Sequence, residues 1–447
     1  MSTAVCTLEV FDRIYYSTCG NLPQRMGMSG LNRTLGFPML IFYGTGMILG
    51  AGIYSIIGKA AQVTGTTLWL GFLFAGISAL LTALSYAELS AMYPKAGAEF
   101  IYLGKAFNNK NWIGASIGIA MALSGAATAT TVALSFAGYI NQFFVVSQSL
   151  VAACVLIFFT GIALMGIRQS GWATVMSTLI EVSGLIFIIY LGVQTDKLTE
   201  HLSIRPNSAT LAGSALIIFS FFGFESIANL AEESKKPEQH LPWAIILSVL
   251  ISTTLYLGVS VAVLALLSVE QLAQSQAPLM AVAQTSSAKA GQILGTVALF
   301  STANTALISL IGASRILYSM GKEGALPNIV AKIIPTRKTP WIASLIILAA
   351  ALLLLPLGKL EVVASISALA TMLAFFSVNV ALIILRYRQS TVARPFKVPL
   401  SIGKFPLLPF IAAGISLVLM TQFDSIVYTI GGTLLVGAAM AFKLLRS

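Results

Sequence analysis

Long apolar stretches recur along the whole chain, and they constrain its fold more than any other feature. Twelve of them are long enough for the roughly 20 residues that an α-helix needs to cross a bilayer. Charged residues make up only 9% of the 447 positions, whereas soluble domains carry about 25%. The sequence therefore predicts an all-α membrane protein with twelve transmembrane helices, centred near Ile48, Leu80, Ala127, Ile157, Leu185, Ser220, Thr254, Thr305, Leu348, Phe375, Ala413 and Leu435.

The placement of the basic residues predicts the topology. Most of the 26 Lys and Arg residues fall in segments that share one side of the membrane, and basic residues near span ends stay in the cytoplasm. With an even number of helices, both termini would be cytoplasmic in a multi-pass protein of the cell membrane. The net charge of +11 has the same origin and does not indicate a nucleic-acid partner. No disulfide is expected, since Cys6, Cys19 and Cys154 offer no extracellular pair.

Two of the apolar stretches contain sequence that does not favour a continuous helix. The first holds four glycines, Gly44, Gly46, Gly50 and Gly52, and the sixth places a glycine, a carboxylate and an amide within Phe219–Asn229. Backbone polar groups cannot stay unpaired in hydrocarbon, so a broken helix requires protein, water or a bound solute at the break. Paired breaks in corresponding halves are typical of secondary transporters.

The spacing of the two breaks predicts an inverted repeat. Five spans separate helix 1 from helix 6, so the two discontinuous helices would run antiparallel in a five-plus-five arrangement. The predicted division is a cytoplasmic tail, two repeats of five helices each, and helices 11 and 12 outside the pseudo-symmetry. Its boundaries are residues 1–36, 37–200, 208–388 and 405–447.

The first break predicts a binding site made of backbone. A helix end presents unpaired N–H groups with a partial positive charge, so a carboxylate could bind at Gly50, Ala51 and Gly52 without a cationic side chain. Glycine allows both the unwound dihedral angles and the close approach of a ligand. The alternative is a glycine-rich face that only lets helices pack closely.

Three acids fall inside the predicted spans, where an ionised carboxylate opposes insertion by roughly 2.5 to 3.5 kcal/mol and is a functional candidate. Glu225 follows the second break directly, and it could exchange a proton or meet a substrate amine. Glu181 shares a helix face with Thr174 and Thr178, which makes it the second candidate for proton coupling. Glu88 lies near the cytoplasmic end of its span, where we expect a structural partner.

Polar residues also follow single helix faces. One stripe lies in the third span and the other in the eighth, and small hydroxyl residues of this kind either join helices or line a polar cavity. Phe219 lies one turn before Gly223 and could close over a bound solute, although most aromatic residues in spans only pack. The stripes comprise Ser124, Thr128, Thr131 and Ser135, and Ser301, Thr305 and Ser309.

Several motifs together resemble the amino acid, polyamine and organocation superfamily of permeases, over nearly the whole chain after the tail. They are Gly50-Ala-Gly52-Ile, Tyr86-Ala-Glu88, Tyr93-Pro-Lys-Ala-Gly97, Gly223-Phe-Glu225, Ala231-Glu-Glu-Ser-Lys-Lys-Pro237, Met320-Gly-Lys-Glu-Gly-Ala-Leu-Pro327 and Arg394-Pro-Phe-Lys-Val-Pro399. The resemblance implies alternating access within the five-plus-five fold.

The resemblance also implies roles for individual residues. The substrate carboxylate would bind the backbone from Gly50 to Gly52, while Glu225 would act as a gate or proton-sensitive group. Some proton-coupled relatives carry a lysine in the fifth span where this chain has Glu181, so their coupling cannot be transferred to it. The full predicted binding set is Ile48, Gly50, Ala51, Gly52, Phe219, Ser220 and Phe222, with Phe219 also covering the substrate. Sodium coupling through the hydroxyls of Ser301, Thr302 and Thr305 stays open.

These features favour a proton-coupled amino acid symporter, whose partners are an amino acid, protons and the lipid bilayer. An exchanger that trades an amino acid for another, or for an amine, would use the same fold and site. An enzyme is not expected, because both histidines fall in loops and no nucleophile or metal-binding motif occurs within the spans. A channel would need rings of pore-lining groups. No metal or cofactor is predicted, and the sequence leaves the oligomeric state open.

Overall fold

Apolar helices dominate the computed structural model, because a helix satisfies its own backbone groups where water is absent. The structure describes residues 31–107, 111–141, 144, 146–196, 198, 205–275, 277–357, 360–421, 428, 429 and 432. Most of the predicted tail and the twelfth predicted span, centred near Leu435, lie outside the described residues. Cys154 is a free, exposed thiol. Cys6 and Cys19 lie outside the described residues.

The helices follow one another with short connections. Those of the first half are α1 (Phe37–Leu49), α2 (Ala51–Thr64), α3 (Leu68–Met92), α4 (Ala98–Ala106), α5 (Asn111–Ile140), α6 (Gln148–Leu164) and α7 (Ile167–Val193). Those of the second half are α8 (Ser208–Ile217), α9 (Glu225–Ala228), α10 (Pro237–Leu266), α11 (Val269–Gln274), α12 (Pro278–Gln284), α13 (Ala288–Lys322), α14 (Trp341–Leu354), α15 (Leu360–Arg388) and α16 (Leu407–Met420).

A small antiparallel hairpin departs from the all-helical prediction. Strands β1 (Ser401–Ile402) and β2 (Phe405–Pro406) lie between α15 and α16, and Ile402 pairs with Phe405. Gly403 adopts a φ of 63° in the turn, a conformation that glycine adopts without steric cost. Motifs of this size are not resolved by hydrophobic periodicity.

Apolar helices of the described residues lie at eleven of the twelve predicted positions, while the number of membrane spans stays a prediction. Eight helical segments are long and apolar enough to cross a membrane, and α6, α14 and α16 are shorter apolar helices. The short ones include the ninth predicted span, which ends before Pro356. The chain is thus a mostly helical, multi-pass membrane protein, while the five-plus-five repeat and its boundaries stay predictions.

Both predicted breaks are present, and they differ in extent. The first is a single residue, Gly50, with φ −44° and ψ −131° between α1 and α2. The second is longer, because α8 passes into a 3-10 turn over Ile218–Phe221, an extended Phe222 and then Gly223 at φ 129°. In addition, α1 packs against α9 and α2 against α8, as two antiparallel broken helices would.

The centre of the bundle is α13, which packs against α5, α7 and α1. Every residue from Ser301 to Gly321 in this helix is buried. Small residues such as Gly312 and Ala313 allow this close approach. The two breaks therefore meet the buried part of α13.

A group of contacts that we term the inner seal closes the end of the bundle where α1 begins. It comprises Leu35, Glu233, Ser234, Lys235 and Arg315. The Leu35 N–H donates to the Glu233 carbonyl at 3.0 Å, and the Lys235 N–H donates to the Leu35 carbonyl at 3.0 Å. The Arg315 guanidinium binds both carboxylate oxygens of Glu233, at 2.8 and 3.2 Å, with both side chains buried.

Candidate functional site

A cavity of about 330 Å³ lies between the two breaks. This volume falls within the range of small-molecule sites in proteins, roughly 300–1,000 Å³. The walls come from α5, α13 and α15 as well as from both broken segments. The predicted site residues that line it are Ile48, Gly52, Phe219, Ser220, Phe222 and Glu225.

Tyr256 of α10 joins the two broken segments behind the cavity. Its hydroxyl lies 2.5 Å from the Ile48 carbonyl oxygen and 3.0 Å from the Ser220 carbonyl oxygen, and it shares its proton between them. The ring is fully buried and packs against Phe72 and Phe221. Sequence reasoning missed this residue, since a tyrosine in an apolar span reads as packing.

The glycines of the first break combine a break with close packing. A Cβ atom at Gly52 would lie 2.7 Å from the Ser220 Cα, and one at Gly50 would lie 1.6 Å from the Thr305 Oγ1. These glycines therefore do pack closely, as the second alternative expects, while the binding site made of backbone stays a prediction. Among the described residues no side chain caps the amino-terminal end of α2, and Gly52 in its first turn lines the cavity. The partial positive charge of that helix end thus lies beside the cavity.

Glu225 lies at the cavity wall directly after the second break. Its Oε2 atom accepts a hydrogen bond from the Gly223 N–H at 2.9 Å, and its side chain is 5% exposed. Ser226 and Asn229 continue the wall beyond it. The carboxyl group is therefore held by the break itself and faces the cavity.

Glu181 does not line the cavity. Its Oε1 atom accepts a hydrogen bond from the Asn304 amide at 3.0 Å, and the same amide lies 3.2 Å from the Thr178 hydroxyl. Its Oε2 atom has no hydrogen-bond partner among the described residues. A Cβ atom at Gly46 would lie 2.0 Å from the Thr178 Oγ1, so this cluster packs against the first broken helix. The two candidate acids thus occupy separate places.

Glu88 has the structural partners that its position predicts. Its Oε2 atom accepts from the Arg386 guanidinium at 2.5 Å and from the Val398 N–H at 2.7 Å. Its Oε1 atom accepts from Arg394 at 2.7 Å. Two cations and an amide compensate this buried charge, and they fasten the loop after α15 to α3.

The polar stripes both line the cavity and join helices. All four residues of the α5 stripe line the cavity, as do Thr305 and Ser309 of the α13 stripe. Ser124 and Thr128 also lie 2.8 and 2.7 Å from the Ser367 hydroxyl of α15. The same hydroxyl groups therefore make these faces of the cavity wall polar and hold the helices together.

The hydroxyls considered as sodium ligands are engaged differently. Those of Thr302 and Thr305 donate to carbonyl groups of their own helix, at 2.9 and 3.1 Å. The Ser301 hydroxyl is buried and has no partner among the described residues.

The aromatic residues of the second break separate into two groups. Phe219 and Phe222 are partly buried, line the cavity and contact each other edge to face at 5.4 Å. Phe224 is fully buried and packs against Tyr86 and Phe375, so it belongs to the core. Tyr54, four residues after Gly50, is buried and does not line the cavity.

Comparison with known proteins identifies a family and several relatives. The model of the amino acid permease family matches residues 35–439. A branched-chain amino acid permease of Bacillus subtilis is 26% identical over 417 residues, which cover 86% of this chain and 87% of that protein. Vacuolar cationic amino acid transporter 2 of Arabidopsis thaliana is 30% identical over 385 residues, which cover 80% of this chain but only 60% of the plant protein. A methylthioribose transporter of Bacillus subtilis is 25% identical over 422 residues, which cover 89% and 90%.

Proposed function

The chain belongs to the amino acid permease family, a family of transporters rather than enzymes, and we propose that it moves an amino acid across the cell membrane by proton-coupled symport. The observation that carries this proposal is the cavity bounded by both helix breaks, with the Glu225 carboxyl in its wall. The alternative is exchange of one amino acid for another, or for an amine, through the same site. Both mechanisms need alternating access.

The substrate carboxylate would bind at the first break, to the N–H groups of Gly50, Ala51 and Gly52. The partially positive amino-terminal end of α2 supports this placement, since it needs no cationic side chain, and the Gly50 N–H would have to leave its present bond to the Gly46 carbonyl, at 3.2 Å. The substrate ammonium would bind carbonyl oxygens of Ile48, Phe219, Ser220 and Phe222. The bonds from Tyr256 leave a second lone pair on the carbonyl oxygens of Ile48 and Ser220.

The rest of the cavity favours a neutral side chain. Met121, Val132 and Ile316 give it an apolar surface between the hydroxyl stripes. Glu225 would admit a cationic side chain only when it is ionised. The relatives are named for branched-chain amino acids, cationic amino acids and methylthioribose, so the family alone leaves several substrates open. A competition panel of amino acids and amines against one transported tracer would identify the substrate.

The cavity and the inner seal support an outward-facing state of the transporter. The cavity extends from the breaks toward Lys59, Ser135 and Leu216, at the end that the predicted topology places outside. At the opposite end the inner seal is closed by backbone bonds and a buried ion pair. The conformation corresponds to one that receives substrate from outside, and release inside would require the inner seal to open. Phe219 would close over the bound substrate.

Proton coupling would use Glu225 first and Glu181 second. Ionised carboxylates are costly in so buried a place, so each would carry a proton unless water or a cation reaches it. Glu225 faces the cavity, where its protonation would change together with substrate occupancy. Glu181 lies against the first broken helix, where its protonation would change with movement of that helix.

Uptake by purified protein in proteoliposomes tests the mechanism. With an inward proton gradient, tracer uptake should rise above the level without a gradient if the protein is a symporter. Uptake that ignores the gradient but rises with amino acid loaded inside would show exchange instead. No saturable uptake of any amino acid or amine would contradict both.

Two variants then assign the proton role. Glu225→Gln should abolish the response of uptake to the proton gradient, and Glu181→Gln should weaken it. Glu270→Gln, at an exposed glutamate of α11, serves as the matched control. An unchanged pH dependence in both variants would rule out the assignment.

A further inference from the structure

A fifth buried acid, after Glu88, Glu181, Glu225 and Glu233, lies just beyond the cavity, on the side of the inner seal. Glu99 is the second residue of α4, and its side chain is fully buried. Its Oε1 atom accepts a hydrogen bond from the Tyr86 hydroxyl at 3.0 Å. Its Oε2 atom has no partner within the part of the chain that the structure describes. A buried carboxyl with one oxygen unpartnered is poorly compensated, in contrast to Glu88.

Asn229 connects this acid to the cavity. It lines the cavity one helical turn after Glu225, and its side-chain oxygen accepts a hydrogen bond from the Ala98 N–H at 2.9 Å. Tyr86 lies on the same path, since its ring contacts Phe224, the residue before Glu225. The Glu99 and Glu225 carboxyl groups also interact electrostatically. Glu99 is thus an acid behind the cavity wall that Glu225 and Asn229 form.

We propose that Glu99 is a proton-binding site of the transport cycle, which holds a proton while the inner end of the bundle is closed and releases it when that end opens. The step is a simple ionisation, in which an O–H bond of the carboxyl breaks and the proton passes to water that enters from the cytoplasm. The proposal rests on the alternating access proposed above. It adds a release site on the cytoplasmic side of Glu225, outside the membrane-spanning segments.

The surroundings of Glu99 favour the neutral acid in the closed state. Burial raises its pKa to about 7, and its own backbone N–H, the Tyr86 hydroxyl and the Asn229 amide offset only part of that rise. The other ionisable groups that act on it are Tyr102 of the same helix and Glu225. Entry of water would remove the burial and return the pKa toward its usual value of 4.5.

Charged side chains on the helices around α4 bind other groups or are exposed. None of the contacts given below stabilises the ionised form of Glu99. Lys105 of α4 is exposed, and Tyr139 lies at the far end of α5. The remaining pairs are Arg315 with Glu233, Lys322 with Glu232 and the Tyr318 ring, Arg386 and Arg394 with Glu88, Lys95 with Glu323, and Arg388 with the Ala106 carbonyl.

Cysteine labelling at the inner seal tests the proposal without a transported substrate. Ser234 is fully buried in this state, so Ser234→Cys, with Cys6, Cys19 and Cys154 changed to serine, reports opening by its reaction with a maleimide. The protein that keeps Glu99 is compared with the same protein carrying Glu99→Gln, which stays neutral. Both gain the same intrinsic thiol reactivity with pH, so the ratio of their labelling rates isolates Glu99.

The expected ratio follows from linkage. With a pKa of about 7 when closed and 4.5 when hydrated, the ratio should rise about 20-fold between about pH 5.5 and pH 7.5. Glu238→Gln, at an exposed glutamate near the seal, should keep the full rise. A ratio that stays constant with pH would overturn the role of Glu99 and leave the transport proposal intact. Absence of labelling at every pH in both proteins would overturn opening at this end, and alternating access with it.

A second variant keeps the test decisive if Glu99→Gln does not fold. The hydrogen bond from the Tyr86 hydroxyl to Oε1 stabilises the ionised form of Glu99. Tyr86→Phe removes this bond and should raise the pKa of Glu99 in the closed state. The rise in labelling should therefore continue to higher pH in this variant before it levels off. A rise that levels off at the same pH as in the parent protein would also contradict the proposal.

Discussion

The Tyr256 hydroxyl lies 2.5 Å from the carbonyl oxygen of Ile48, so a side chain of α10 holds the last turn of α1 where the first helix breaks. The same hydroxyl reaches the Ser220 carbonyl of the second break. One proton donor thus sets the separation of the two segments that the substrate would bridge.

Tyr256→Phe should weaken substrate binding, because both carbonyls lose a buried donor. Leaving buried acceptors unpaired costs about 1–3 kcal/mol. We expect the KM for tracer uptake to rise about tenfold, which corresponds to about 1.4 kcal/mol. Tyr387→Phe, at an exposed tyrosine of α15, is the control. Equal KM values in the two variants would show that the bridge does not position the site.

Gly52→Ala should abolish transport. The added methyl group would lie 2.7 Å from a backbone atom of Ser220, which cannot move aside as a flexible side chain could. Gly161→Ala in α6 is the matched control, since its Cβ would meet nothing within 4 Å. Initial uptake rates at equal protein levels measure the effect. Retained uptake in Gly52→Ala would mean that the two breaks can separate without loss of the site.

Glu233→Gln should destabilise the protein strongly, because it leaves the buried Arg315 guanidinium without a counter-charge. Breaking a buried ion pair costs about 3–5 kcal/mol. By contrast, Glu323→Gln breaks the pair with Lys95, whose side chain is 50% exposed, and should cost less than about 1 kcal/mol. Unfolding in detergent by a chemical denaturant gives both values. Similar losses in the two variants would contradict the structural role of the inner seal.

Stability should fall as the pH rises, through Glu99. Its pKa in the folded protein is raised above the usual 4.5 to about 7, so the folded state binds the proton more tightly. Its contribution is fully present below pH 4.5 and is lost as the pH passes about 7. Between about pH 5.5 and pH 8 the free energy of unfolding should fall by about 2 kcal/mol from this group. Glu99→Gln should remove that part of the pH dependence, and a dependence unchanged by the variant would contradict it.

The sequence predicts the breaks and the spans because both depend on local properties. Runs of apolar residues specify the membrane helices, and Gly50 and Gly223 specify where the helices come apart. The acid after the second break, Glu225, could be placed at the cavity because its position follows from the break itself. The family motifs made the same prediction from the resemblance.

Other parts of the site depend on distant contacts, which no local pattern records. Tyr256 lies 208 positions from Ile48 and Asn304 lies 123 positions from Glu181, so neither pairing could be read from spacing. Glu99 lies outside the spans, where an acid usually meets water, and only the packing of α4 against its neighbours buries it. The sequence could not decide whether the hydroxyl stripes join helices or line a cavity, because the same hydroxyl groups do both.

The backbone bonds between Leu35 and the segment around Ser234 couple the chain before α1 to the inner seal. A displacement of Leu35 would therefore act on the segment that follows the second broken helix, because the two bonds join main-chain atoms. An antibody fragment that binds just before Phe37 should therefore slow transport as a non-competitive inhibitor.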